Sequence, residues 1–292
     1  MGEKLTIQST LKKMGDFRYP HKREGAAMAI HETAVIAPSA KIHPSVEIGP
    51  YAVIEEGVTI GAETRVGAHS VIGGPCTIGE RNVIHSFATV GGAPQDLSYK
   101  GEDTELIMGN GNTIREYATI HRGTVDGGGQ TVIGNDCLLM AYTHVAHDCK
   151  LGNRVIMANV ATLGGHVEIG DFASLGGLVA VHQFVRIGTF SYIGGMSGIG
   201  KDVPPYMLLA GTRNRTKISG INKIGLKRAG LSNEAVRRLD GAFRLIFKTD
   251  ELLKKDAFEE VLKEFPDSAE AKYLVEFLTA SKRGFIQRVN DD

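Results

Sequence analysis

The feature that most constrains this 292-residue chain is an aliphatic side chain at every sixth position. From Ile30 the beat runs through Ile36, Ile42, Ile48, Ile54, Ile60, Val66, Ile72, Ile78 and Ile84 to Val90. It returns at Met108, Ile114 and Ile120, then continues from Ile133 in steps of six to Ile199. Neither the 3.6-residue period of a helix nor the two-residue alternation of an ordinary strand produces a strict period of six. A hexapeptide β-helix does, because each hexad makes one short strand and one corner with its aliphatic residue inside.

The period alone leaves the hand of the coil open. The hexads resemble those of the hexapeptide-repeat superfamily, and that resemblance implies a left-handed parallel β-helix. Three hexads would close one triangular coil of 18 residues, and coils would stack at the roughly 4.8 Å spacing of paired strands. The 37 glycines and the absence of tryptophan suit such a tightly turning backbone. Between Val90 and Met108 the in-frame positions are Asp96 and Glu102, so a loop is expected near 91–107. The frame shifts between Ile120 and Ile133, which predicts a second loop near 121–132. Loops on a rigid scaffold are where binding residues concentrate.

After Asp202 the hexads stop. From Ser232 the spacing of Val236, Leu239, Phe243 and Ile246 predicts a helix, capped by Ser232. Asp256 with Glu259 reads as a capping box for a second helix, and a third is expected from about Ser268 to Lys282. The expected organisation is a flexible N-terminal extension (1–27), a left-handed β-helix (28–218) and a small α-helical C-terminal domain (219–292).

The 33 basic and 33 acidic residues balance to a formal charge of +0, which argues against bulk attraction to nucleic acid. No apolar run approaches the ~18 residues needed to cross a membrane, and the extension lacks a signal-peptide core. Cys76, Cys137 and Cys149 are odd in number and form no C-x-x-C pair, so reduced thiols and a cytoplasmic location are expected.

An 18-residue coil converts spacing into proximity. It stacks His147, Gly165 and Gln183, with His144, Asp148, His166 and His182 around them. Exposed corner histidines, or histidines packed between neighbouring molecules, would need no chemistry. A metal site would need imidazoles converging at about 2.0–2.1 Å from one ion. An acid–base site would need an imidazole, a group to orient it and a nearby donor. His147, Asp148 and the Gly165 N–H supply that last set, which is the favoured reading, with no metal expected.

The segments "PQDLSY", "TIHRGTV", "AHDC", "GGHV", "AVHQF", "DVPPY" and "KRGFIQR" resemble, in order, those of the UDP-N-acetylglucosamine 3-O-acyltransferase family. The resemblance covers nearly everything after the extension. It implies transfer of a (3R)-3-hydroxyacyl group from acyl carrier protein to the 3-hydroxyl of UDP-N-acetylglucosamine, the first step of lipid A synthesis. It implies His147 as general base, Asp148 as its orienting carboxylate and the Gly165 N–H as oxyanion donor. No acyl-enzyme or separate cofactor is implied, since the donor rides on the carrier's phosphopantetheine, and Cys149 is read as structural. Gln95, Asp96 and His144 match positions that meet the sugar; His166, His182 and Gln183 match others lining the cleft. Asn222 and Arg228 match positions near the uridine and phosphates. Ser98 stands where the family commonly has lysine, and Ile224 where some relatives are acidic. Gly195 matches the position that gauges acyl length, and the adjacent Met196 could shorten that pocket.

The family resemblance also implies a homotrimer with the acyl cleft between prisms. Arg213, Arg215, Lys217, Lys223, Lys227 and Arg228, with no acidic residue between Val203 and Asn233, form a basic run suited to diphosphate and to acidic carrier protein. The alternatives are another hexapeptide acyltransferase, using a different nucleotide sugar or acetyl-CoA, or a nonenzymatic trimeric binding module.

Overall fold

The structure, a computed structural model, describes residues 30–211, 216–249 and 253–287. The extension at 1–27 and the two arginines at 213 and 215 lie outside them.

The six-residue beat becomes strands of two to four residues arranged as three parallel sheets around one axis. The first face begins with Val35–Ile36, the second with Lys41–Ile42 and the third with Glu47–Ile48. Pairing follows the 18-residue period: Val145 registers with Leu163, and Leu163 with Val181. The in-frame aliphatics from Ile48 to Ile199 are buried and fill the prism as ladders. Many corners turn through a residue with φ near +60°, as at Tyr142, Asp148 and Arg154. For a non-glycine residue that conformation costs about 1–2 kcal/mol. It is held because each coil hydrogen-bonds the backbone of the next.

Both loops are shorter than the broken beat suggests. Glu105–Met108 is a strand, with Leu106 opposite Cys76 on one side and Thr131 on the other. His121 closes strand Thr119–His121, and Gln130–Ile133 is already paired. The excursions are therefore 93–104 and 122–129, because sheet pairing captures residues that the aliphatic beat does not mark.

The sheet also runs past 218. Met207–Ala210 stacks on Tyr192–Ile193, and Lys217–Ile221 returns antiparallel to it before the helices begin. Helix α1 (Lys223–Arg228) is short and carries no repeat signal. Helix α2 (Asn233–Phe247) starts as expected, with Ser232 Oγ accepting the Ala235 N–H at 3.1 Å. Helix α3 (Lys254–Glu264) begins before Asp256 with Leu253 as N-cap, so the Asp256–Glu259 capping box does not form. Helix α4 (Ala269–Thr279) is capped by Ser268. Beyond it the chain returns to the last coil: the Ile286 N–H donates to Asp202 O at 2.9 Å, and Ser281 Oγ to Asp202 Oδ2 at 2.8 Å. Among the described residues, no helix is long and apolar enough to cross a membrane.

Candidate active site

The corner between the first and second faces carries Ala146-His147-Asp148, then Gly164-Gly165-His166, then His182-Gln183-Phe184. Asp148 takes the left-handed corner position, with φ 61°. The residue is only 4% exposed, and its carboxylate accepts three hydrogen bonds. His147 Nδ1 donates to Oδ2 at 2.7 Å, Thr124 Oγ1 donates to the same oxygen at 2.7 Å, and the Thr124 N–H donates to Oδ1 at 2.8 Å. A buried charge needs that degree of satisfaction.

Two glycines make room for this pair. A Cβ on Gly165 would stand 2.6 Å from His147 Cε1 and 2.8 Å from Nε2, so any side chain there would push the imidazole away. A Cβ on Gly127, in the second loop, would fall inside the Asp148 carboxylate. The Gly165 N–H donates to no group among the described residues.

His147, Asp148 and His166 each offer one ligand atom, and these atoms lie within 4.8 Å of one another. Two ligands of a tetrahedral zinc, each at 2.0–2.1 Å, would stand about 3.3 Å apart. The 2.7 Å separation of His147 and Asp148 is instead the length of a hydrogen bond.

The other expected residues divide into those brought to His147 and those kept away. His166 stands edge-on to it, with ring centroids 5.2 Å apart, and stacks on Phe184 at 4.3 Å. Burial lowers the His166 pKa against the pull of Asp148. His144 Nδ1 lies 2.7 Å from Thr119 Oγ1, and burial, then His147, lowers its pKa. The first loop brings Asp96 Oδ2 to 4.0 Å from His147 Nε2. Gln95, His182 and Gln183 are exposed around this corner, and Arg283 Nη2 lies 3.3 Å from His182 Nδ1. Ser98 turns inward on its own loop: its N–H and Oγ both donate to Asp96 Oδ1 at 2.8 Å, which lowers the Asp96 pKa.

Asn222 lies against a different corner, between the second and third faces. Its Nδ2 donates to Phe190 O and its Oδ1 accepts the Gly225 N–H, both at 3.0 Å. Arg228 is exposed in the last turn of α1. Lys223 of the basic run is met by Asp240 at 3.0 Å. Gly195 and Met196 occupy the corner between the third and first faces, where Met196 is 68% exposed. A single chain thus spreads the expected residues over three edges.

Residues 202–286 match the family described as UDP-N-acetylglucosamine O-acyltransferase, domain 2. Hexapeptide-transferase repeats match at 29–62, 57–92 and 130–165. An acyl-[acyl-carrier-protein]–UDP-N-acetylglucosamine O-acyltransferase of Thermodesulfovibrio yellowstonii is 52% identical over 255 residues, covering 87% of this chain and 98% of that protein. The chain belongs to the UDP-N-acetylglucosamine O-acyltransferase family. The solved LpxA of Acinetobacter baumannii superposes with a TM-score of 0.85 at 45% identity, covering 89% of this chain and all of that one. The UDP-N-acetylglucosamine acyltransferase of Francisella novicida gives 0.86 at 38% identity, covering 89% of this chain and 95% of that one.

Within this family frame, the residues that sequence reasoning missed are those acting through others. Thr124 and Gly127 sit in an irregular loop and reach Asp148 only through the fold. His121 is buried edge-on to His144 at 4.9 Å, and its Nδ1 has no partner among the described residues. Its place directly after the in-frame Ile120 was the available signal. Cys149, beside the site in sequence, is buried; its Sγ donates to Gly164 O at 3.2 Å, and burial pushes its pKa up to about 12. It is a thiol rather than a nucleophilic thiolate.

Proposed function

We propose that the chain transfers a (3R)-3-hydroxyacyl group from acyl carrier protein to the sugar 3-hydroxyl of UDP-N-acetylglucosamine, with His147 as general base. This O-acylation is the first step of lipid A biosynthesis. The observation that carries the assignment of the base is the hydrogen bond from His147 Nδ1 to the buried Asp148 carboxylate.

That bond requires the proton on Nδ1, which leaves the Nε2 lone pair free for the substrate hydroxyl. The 4.0 Å gap from Nε2 to Asp96 Oδ2 leaves room for the sugar edge, with the reacting hydroxyl giving its one proton to Nε2 and a neighbouring hydroxyl donating to Asp96 Oδ2. As the hydroxyl oxygen attacks the thioester carbon, His147 takes its proton, and Asp148 stabilises the imidazolium that forms. The carbonyl oxygen becomes an oxyanion beside the Gly165 N–H, a donor already in place. Collapse expels the phosphopantetheine thiolate, and His147 returns the proton to the sulfur. The reaction so written needs neither a metal nor an acyl-enzyme.

The acyl chain would run toward Gly195 and Met196, which lie on a different edge of the same prism. A homotrimer that seats the apolar edge of one prism beside the histidine edge of its neighbour would bring the two together. Asn222 and Arg228, on the third edge and its helix, would meet the nucleotide in the same assembly.

The test is turnover of UDP-N-acetylglucosamine with hydroxyacyl carrier proteins of several chain lengths. His147→Ala should lose on the order of 10²–10⁴ in kcat if the imidazole is the base, with nucleotide-sugar binding retained in calorimetry. Near-normal turnover by that variant would sink the assignment.

A further inference from the structure

The second loop opens with Arg122, a residue that need not touch any reacting atom. Its backbone N–H donates to Gly92 O at 2.9 Å, and its Nη1 donates to Gly91 O at 2.8 Å. Both acceptors lie where the first loop leaves the prism. Its Nη2 donates to the Tyr99 hydroxyl at 3.2 Å, beyond Asp96 on the same loop. That hydroxyl in turn donates to Glu102 O at 3.0 Å. Between these anchors the Tyr99 N–H donates to Asp96 O at 3.2 Å, while Ser98 holds Asp96 Oδ1. The oxygen left facing His147 is Oδ2.

We propose that Arg122 is a positioning residue for sugar binding, clamping the 93–104 loop at its root and beyond Asp96 so that Asp96 stays opposite His147. The inference rests on the functional reading above. It makes the 122–129 loop serve both halves of the site, since Thr124 in the same loop holds Asp148. An unclamped loop would have to be ordered by the incoming sugar, and ordering on binding lowers affinity. A lysine could not replace the clamp, because it lacks the planar fork that reaches two acceptors at once.

Arg122→Met removes both side-chain arms of the clamp, whereas Tyr99→Phe removes only the arm beyond Asp96. Each should raise KM for UDP-N-acetylglucosamine by roughly tenfold, the loss expected for one hydrogen bond to a charged group. The kcat at saturation and the KM for acyl carrier protein should stay near wild type. Asp96→Asn should raise the same KM, and adding Arg122→Met to it should raise KM little further, because both act through one carboxylate. Arg122→Lys should resemble Arg122→Met. A wild-type sugar KM in Tyr99→Phe, or a double variant whose effects simply multiply, overturns the clamp and leaves the His147 assignment standing. If Arg122→Met does not fold, Tyr99→Phe with Asp96→Asn carries the same comparison. Activity retained in His147→Ala would instead remove the reading on which the clamp rests.

Discussion

Asp148 holds a negative charge almost wholly out of water, and two of its three hydrogen bonds come from Thr124. Thr124→Val keeps the N–H bond and the shape but deletes the hydroxyl donor. Hydrogen bonds to charged groups are worth about 1.5–3 kcal/mol. If that difference appears in the transition state, kcat should fall roughly 10- to 100-fold with KM little changed; unaltered steady-state kinetics would show that His147 is oriented without Thr124. His121 offers a measurement of a different kind. Burial pushes its pKa down to about 4, with His144, His147 and Arg122 acting in the same direction. The unfolded chain, with a value near the ordinary 6.5, therefore takes up the proton first as pH falls. This contribution to stability is full above about pH 6.5 and is lost progressively down to about pH 4. Thermal melts should show the melting temperature dropping across that interval, and His121→Gln should flatten the drop whatever its absolute value.

Elements differ in how openly they declare themselves. The short strands are legible because an inward position recurs every six residues, and the register of Val145 with Leu163 follows from the 18-residue spacing alone. The loop ends are not legible: Leu106 and Thr131 become strand only because neighbouring coils offer backbone partners. Helix α1 is invisible for a related reason. It has six residues, one of them buried, and depends on Asn222 to join its first turn to the prism. Both polar ends of that amide are engaged within the protein, so Asn222 has a structural task beside any contact with nucleotide. Asn222→Ala should cost about 1 kcal/mol as a lost cap, more with the lost bond to Phe190 O, and differential scanning calorimetry should register it without substrate. A melting temperature equal to wild type would mean that the cap contributes nothing to stability.

Across the whole molecule the three edges of the prism have different characters. The edge between the third and first faces stacks Tyr51, His69, Phe87, Tyr117 and Tyr142 with centroids 4.9–5.2 Å apart, matching the rise of one coil. Val160, Leu178 and Met196 continue it, all exposed in the single chain. So long an apolar stripe calls for cover, and the proposed trimer would supply it. Leu178→Glu tests this, because Glu63 occupies the same kind of left-handed corner (φ 58°) and shows that glutamate fits such a backbone. Light scattering should show the variant shifted from three chains toward one, with acyl transfer falling in parallel. A variant that stays trimeric and fully active would place the interface elsewhere. From the sequence alone came the coil, the edge on which His147 meets Gly165, and the family motifs, because a strict period in side-chain chemistry dictates which residues stack. The tertiary structure decided what the period does not encode. Irregular loops brought Thr124 to Asp148 and Arg122 to Tyr99, and the triangular section put His147, Asn222 and Met196 on separate edges, since those contacts depend on where the backbone leaves the repeat and on which way each corner faces.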